Sequence, residues 1–331
     1  MQVSFIIPLY NCLTLTQECL RTLQVTLPPG LAHEIIFVDD GSTDGTREWL
    51  GTLATPCRVI LNDRNLGFAA TCNRGAAVAQ GAGLFFLNND LVFLPGWFQP
   101  MLALAQKHYA GLVGNVQLNA TTGAVDHTGL WFNRKGKPVH NTRVSWLARL
   151  TGRQPVPALT GACFAIRQSL WRQLGGFDEG FVNGSEDVDL CLKTMQAGLR
   201  NYVATRSVVR HHVSQSPGRK LRDEENSRRL LTRWRSAMVA LSIRDVCAAC
   251  LEIAWDDPTD YPDPLLARDA VLGLCHLLPY PTIRLVAAAQ AAFEIEFQRW
   301  SHLLDGGPPP SPSRFLVWQR LQQHLTRDAV L

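Results

Sequence analysis

The two phosphate-binding glycine signatures of nucleotide-binding α/β proteins are missing from this chain. No G-x-G-x-x-G follows the first apolar run, and no G-x-x-x-x-G-K-[ST] occurs anywhere. Gly81-Ala82-Gly83 is no substitute, because a strand and not a helix is predicted to follow it. No apolar run reaches the ~20 residues of a membrane-spanning helix. The nine cysteines form no paired framework. Met1-Gln2-Val3-Ser4 leads straight into a short strand and not into a basic stretch with a long apolar run. These absences set the expectation of free thiols and a cytoplasmic location. Charge of one sign is also scarce. A net charge of +4, dispersed along the chain, excludes nucleic acid as an expected partner.

What is there is a composition of 46% hydrophobic and 18% charged residues over 331 positions, enough for a large core. Val3 to Leu9, Glu34 to Val38, Arg58 to Leu61 and the run through Phe85-Phe86-Leu87 read as strands. Helical spacing separates them, over 13–25, around Trp49 and Leu50, and from Phe68 to Gln80. Strand alternating with helix predicts an α/β fold with a doubly wound, mainly parallel sheet over 1–110. The pattern then changes to a mixed, substrate-facing half over 111–218. Strands are predicted there near 111–118, 124–132, 160–167, 202–204 and 208–212, with a loop over 133–157. Gln168 to Leu174 reads as a short helix, and Ser185 is expected to cap another that ends at Gly198. From 219 to 331 only helices are predicted, near 219–235, 263–278, 281–304 and 314–328. Cys247-Ala248-Ala249-Cys250 lies inside an apolar helical pattern and reads as core packing.

Polar residues gather at the ends of the predicted strands: Tyr10-Asn11, Asp39-Asp40, Asn65 to Gly67, and Asn88-Asn89-Asp90. In an open parallel sheet these ends converge on one crevice. A carboxylate with neighbouring amide oxygens suits a hard divalent ion that also binds phosphate. A polar turn between core strands is the other reading of Asn88 to Asp90. Without a glycine-rich loop, a diphosphate in the crevice would need a metal to neutralise it. Glu186-Asp187-Val188-Asp189 opens a helix, where carboxylates offset the helix dipole. The same helix end favours the charged form, so Asp187 is expected to be ionised and able to take a proton from a hydroxyl. His211 and His212 end a strand-like run, and either imidazole could complete a metal shell.

Six segments together resemble the family 2 glycosyltransferases of the GT-A fold, in the bacterial rhamnosyltransferase-like branch. They are Val3 to Asn11, Val38 to Thr46, Asn65-Leu66-Gly67-Phe68, Leu87 to Asp90, Gly176-Phe177-Asp178-Glu179 and Glu186 to Leu190. Any one alone is weak; six in this order over about 1–216 are specific. The resemblance implies a GT-A domain over 1–218, with a nucleotide-binding half and an acceptor-side half, followed by a helical extension. It implies inverting transfer of a sugar from a nucleotide diphosphate to an acceptor hydroxyl, in a single displacement. Pro8, Tyr10, Asn11, Asp39 and Asp40 would hold the nucleoside. Asn65, Gly67 and Asn73 would line the phosphate side, with Asn88, Asn89 and Gly161 also on the donor. Asp90 and His211 would bind Mn²⁺ or Mg²⁺. Asp187 would be the base, oriented by Glu186. Gly161 and Ala162 would also line the pocket between donor sugar and acceptor. Asp178, Glu179 and Trp131 would face the acceptor, with Trp97 a second stacking surface.

The sequence departs from the family pattern where Asn88 stands for the first acid of the DXD element, which leaves the metal site less negative. By resemblance dTDP-rhamnose or a UDP-sugar is the expected donor, and a glycan, lipid-linked or protein-borne group the acceptor. The competing reading is a non-catalytic nucleotide-sugar-binding module. A nucleotidyltransferase would leave the Glu186-Asp187 helix unexplained. The basic opening of the C-terminal region, 219–235, is a candidate contact with the inner face of a membrane. The later helices could pack on the catalytic domain or make a homodimer.

Overall fold

The computed structural model describes residues 3–212, 222–256 and 264–308. The predicted helix over 314–328 and residues 219–221 of the basic stretch lie outside them. The chain divides into two units, residues 1–130 with 140–223, and residues 131–139 with 224–331.

The first unit begins as the apolar runs require. β1 (Val3–Leu9) is buried along its whole length and lies between β2 (His33–Asp39) and β4 (Gly83–Leu87), parallel to both. A continuous apolar run is what a strand covered on both faces needs. Pro8 has no N–H to give, and it lies beyond Ile6, the last β1 residue paired with β4. β3 (Cys57–Leu61) adds to the far side of β2, also parallel. The crossovers are α1 (Leu13–Thr26), α2 (Thr46–Leu50) and α3 (Phe68–Val78). This gives the order β3-β2-β1-β4, with the topological switch between β1 and β4.

β5 (Leu91–Phe93) and α4 (Phe98–Ala105) follow, and then the mixed half. β6 (Ala110–Asn119) and β11 (Cys163–Arg167) extend the sheet from β4, with β11 antiparallel to both neighbours. β7 (Val125–His127) pairs with β6. β8 (Leu130–Phe132) and β9 (Pro138–His140) form a separate two-stranded sheet. α5 (Trp146–Thr151) leads to β10 (Arg153–Val156) at the sheet edge. α6 (Gln168–Leu174) and α7 (Glu186–Gln196) precede β12 (Arg200–His211), which runs parallel to β6.

Several expectations change. The loop over 133–157 contains β9, α5 and β10, elements too short to show a period. The pieces at 202–204 and 208–212 are one strand, β12, interrupted by a register shift between Ala204 and Val208. The piece over 124–132 breaks into β7 and β8 at Gly129, where φ is +112°. Ser185 sits at the N-cap of α7 with φ 71° and makes no side-chain capping bond. Trp97 is fully buried among Phe5, Phe85, Phe93 and Phe98, and donates from Nε1 to Thr26 Oγ1 at 3.1 Å. It is a core residue and offers no face to a sugar.

The second unit is α8 (Asp223–Asp256), kinked at Trp234, with α9 (Pro264–Leu274), α10 (Ile283–Asp305) and the segment 131–139. That segment is held inside the unit by Lys137 Nζ to Glu224 at 2.8 Å and by Arg134 N–H donating to Asp245 Oδ2 at 2.8 Å. Glu224 is half-buried, which alone would raise its pKa. Hydrogen bonds from Arg299, Lys137 and Trp300 outweigh that and lower it to about 2. Cys247 and Cys250 are buried within α8, as core packing requires.

Candidate active site

The strand-end clusters are bonded to one another across the switch point. Asn11 follows β1 with φ 57°; its Oδ1 accepts from Thr43 N–H at 2.8 Å, and its own N–H donates to Ser42 Oγ at 2.7 Å. Asn89, just past β4, donates from Nδ2 to Asn11 O at 3.3 Å and to Thr16 Oγ1 at 2.9 Å. Asn65 is exposed, and its Oδ1 accepts from Gly67 N–H at 3.1 Å. Tyr10, next to Asn11, is 42% exposed and offers its ring at the rim. Loops from β1, β2, β3 and β4 therefore make one polar rim.

Beneath that rim the two aspartates ending β2 are buried. Asp39 is fully buried; its Oδ2 is 2.7 Å from Arg47 Nε, and its carboxylate accepts from Gly41 and Ser42 N–H. Asp40 Oδ1 accepts from Asn62 Nδ2 and Leu66 N–H at 2.8 Å each, and Oδ2 from Gly67 N–H at 2.9 Å. These bonds fix the loop of residues 62–67 against the β2 turn. Gly41 is required there: its φ is +87°, and a Cβ would come within 3.0 Å of Asn65 N. The oxygens of Asp39 and Asp40 are thus spent on protein N–H groups and on Arg47.

Asp90 and His211 come together. β12 pairs with β5 so that His211 stands opposite Leu91, and His211 Nε2 lies 3.2 Å from Asp90 Oδ1. Both residues are buried. Despite that distance, Asp90 Oδ1 has no hydrogen-bond partner among the described residues. His212 reaches Asp90 only through its backbone, N–H to carbonyl at 3.1 Å. Among the described residues no group of three or more His, Cys, Asp and Glu side chains could hold an ion.

Asp187 opens α7 and is fixed by two N–H groups. Gly161 N–H donates to Oδ2 at 2.6 Å and Val188 N–H to Oδ1 at 2.8 Å. Gly161 approaches closely; a Cβ would lie 3.2 Å from the Phe68 ring and 3.5 Å from Asp187 Cβ. The next residue, Ala162, accepts from Asn88 N–H at 2.8 Å. One turn, Thr160 to Ala162, thus bridges the end of β4 and the start of α7. Glu186 is buried, and its Oε2 accepts from Gly184 N–H at 2.7 Å.

Asn73 on α3 binds the loop after α6 and not the rim of strand ends. Its Nδ2 donates to Phe177 O at 3.0 Å and Glu179 Oε1 at 2.8 Å, and its Oδ1 accepts from Phe177 N–H at 3.0 Å. Asp178 closes the same loop, accepting at Oδ1 from Gly180 N–H. Trp131 is 38% exposed and belongs to the second unit.

Sequence reasoning missed four residues here. Ser42 and Thr43 hold Asn11, and Asn62 buttresses Asp40. Asn183, with φ 52°, accepts at Oδ1 from Phe68 N–H at 3.2 Å and ties the loop before α7 to α3. Asn183-Gly184-Ser185 is a turn signal that could have flagged it.

The family model described as "Glycosyl transferase family 2" matches residues 4–175, and one described as "Glycosyl transferase family group 2" matches 139–287. Asp187 and His211 fall within the second match only. An O-antigen biosynthesis protein of Myxococcus xanthus is 30% identical over 239 residues, 65% of this chain and 18% of that protein. An N-acetylglucosaminyl-diphospho-decaprenol L-rhamnosyltransferase of Mycobacterium tuberculosis is 27% identical over 56% of this chain and 68% of its own length. The chain spans a minor part of the larger curated relatives, 26% of one from Sinorhizobium fredii. Among solved structures, GalNAc-T7 with UDP, GalNAc and Mn²⁺ superposes with a TM-score of 0.57. It is 17% identical and covers 95% of this chain and 59% of its own, a likeness of fold alone.

Proposed function

The chain belongs to glycosyl transferase family 2, and on that premise we propose that it transfers a sugar from a nucleotide diphosphate donor to an acceptor hydroxyl, with inversion. The observation that carries this reading is Asp187, whose carboxylate is fixed at the start of α7 by the N–H groups of Gly161 and Val188, on the turn that also holds the end of β4. Asp187 takes the hydroxyl proton as the acceptor oxygen attacks the anomeric carbon from the side opposite the leaving diphosphate. Glu186 fixes the backbone just before the helix through Gly184 and so sets the direction of Asp187.

On the donor side, Tyr10, Asn11, Asn65, Gly67, Asn88 and Asn89 receive the nucleotide at the rim, and Pro8, buried in β1, supports them from below. Asp39 and Asp40 act through the loops they hold. Asn73 contributes by fixing Phe177 to Glu179, and Asp178 and Glu179 are assigned to the acceptor. Gly161 serves the donor sugar by letting its turn pack closely on Phe68 and Asp187, where a Cβ would lie 3.2 Å from the Phe68 ring.

Asp90 and His211 would hold Mn²⁺ or Mg²⁺. A buried carboxylate oxygen with no hydrogen-bond partner among the described residues, 3.2 Å from an imidazole nitrogen, suits such an ion. When bound, the ion neutralises charge on the leaving diphosphate.

Resemblance to the rhamnosyltransferase-like branch, together with the Mycobacterium relative, makes dTDP-rhamnose the first donor to try and UDP-sugars the second. Glycans and lipid-linked sugars are the acceptors this reading favours. A panel of nucleotide sugars, scored for hydrolysis and for thermal stabilisation with Mn²⁺, tests it. Turnover of at least one donor is expected; stabilisation without turnover of any would favour a binding module instead.

A further inference from the structure

α5 is firmly held, yet its apolar side chains face solvent. Ser145 caps it, accepting at Oγ from Ala148 N–H at 3.2 Å, and Gly152 ends it in the left-handed conformation. Two bonds tie the helix to β12: Thr205 Oγ1 donates to Ala148 O at 2.9 Å, and Arg206 Nη2 to Leu150 O at 3.3 Å. Ala148 is buried, but Trp146, Leu147 and Leu150 are 74%, 55% and 67% exposed. Single exposed apolar residues are ordinary on a surface; three on two turns of one anchored helix are not.

The charge along the chain around them has one sign. No Asp or Glu occurs between Asp126 and Asp178. Arg143, Arg149 and Arg153 flank the apolar residues and are exposed. β12, against which α5 and β10 lie, brings the exposed Arg200, Arg206 and Arg210 and has no acidic residue. Arg153 is stacked on Tyr109, 5.4 Å from the ring centroid. This cluster lies outside 219–235, the stretch that the sequence alone offered for membrane contact.

We propose that the α5 face docks on an anionic lipid bilayer. Trp and Leu partition into the boundary between headgroups and acyl chains, and arginines flanking them meet lipid phosphates. Protein surfaces mix charges of both signs, so a long stretch free of acid suits an extended anionic sheet better than a protein partner. The inference concerns where the chain works and does not depend on the transferase reading.

Flotation of the full chain tests it, with vesicles of phosphatidylcholine mixed with phosphatidylglycerol against phosphatidylcholine alone. The parent should float with the mixed vesicles only, and less so as salt is raised. Two variants, Trp146→Ser with Leu150→Ser and Arg143→Ser with Arg149→Ser, should each reduce the floated fraction at least about fivefold. Their melting temperatures should match the parent, which separates loss of docking from loss of folding. The proposal is overturned if the parent stays at the bottom of the gradient. It is equally overturned if the parent floats alike on both vesicle types or if the variants float like the parent. Sedimentation adds a further check: a parent dimer that the Trp146 variant converts to monomer would make the face an interface between copies, and overturn it too.

Discussion

The backbone N–H of Gly161 donates to Asp187 Oδ2 at 2.6 Å, while Ala162, one residue on, accepts from Asn88 N–H at 2.8 Å. A single turn thereby fixes the proposed base relative to the strand end that carries Asp90. Asp187→Asn keeps the size of the side chain and removes its capacity to take a proton. Turnover should fall at least about 10²-fold, with donor affinity by calorimetry unchanged. Near-normal turnover would remove Asp187 from the mechanism.

For the metal, the expectation rests on Asp90 Oδ1, buried beside His211 with no hydrogen-bond partner among the described residues. EDTA should suppress transfer and Mn²⁺ restore it. Asp90→Ala should abolish the extra thermal stabilisation that Mn²⁺ gives in the presence of a nucleoside diphosphate, and His211→Asn should reduce it. Activity that is complete in chelator would take both residues out of a metal role.

How far the sequence carries such assignments depends on whether a signal is local. β1, β2 and β4 are legible because a strand buried on both faces must be an unbroken apolar run. The polar ends of those strands are legible too, since Asn11, Asp40 and Asn88 interrupt the runs abruptly. β9 and β10 are not, being too short for a period, and α5 announces itself only through Ser145 and Gly152. The bond from Asn89 to Asn11 spans 78 positions, and nothing local in either residue encodes it. Trp97 looked like a sugar platform because aromatics serve that purpose; its apolar neighbours from Leu91 to Phe98 were the better guide to its burial. The inclusion of 131–139 in the helical unit rests on Lys137 and Arg134 meeting acids on α8, again a long-range choice.

Arg47 and Asp39 give a stability prediction. Asp39 is fully buried and its partner Arg47 is about one-third exposed; Arg47 also donates from Nη2 to Asn62 O. Arg47→Ala leaves a buried carboxylate with only the N–H groups of Gly41 and Ser42. A loss of about 3 kcal/mol in urea unfolding is expected. Arg47→Lys should recover part of it, and Arg47→Ala with Asp39→Asn should lose less than Arg47→Ala alone. Equal losses in the single and double variants would mean that the loss does not come from stranding the Asp39 charge.

His127 gives the pH prediction. Thr160 N–H lies 3.5 Å from His127 Nε2, and His127 Nδ1 lies 3.2 Å from His140 Nδ1. With Nε2 accepting, the ring proton sits on Nδ1 and is donated to His140. Burial, then the neighbouring His140, then His211 lower the pKa of His127 to about 3. The folded state therefore holds His127 neutral, while in the unfolded chain it titrates near its usual value of about 6.5. Below that value the unfolded state binds the extra proton, so stability is full above it and is lost as pH falls toward the folded pKa. At pH 5 the loss from this one residue is about 2 kcal/mol. His127→Gln, which can still accept from Thr160, should flatten the decline between pH 7 and pH 5 by about that amount in urea unfolding. A slope that stays as steep in the variant would show that His127 titrates freely in the folded protein.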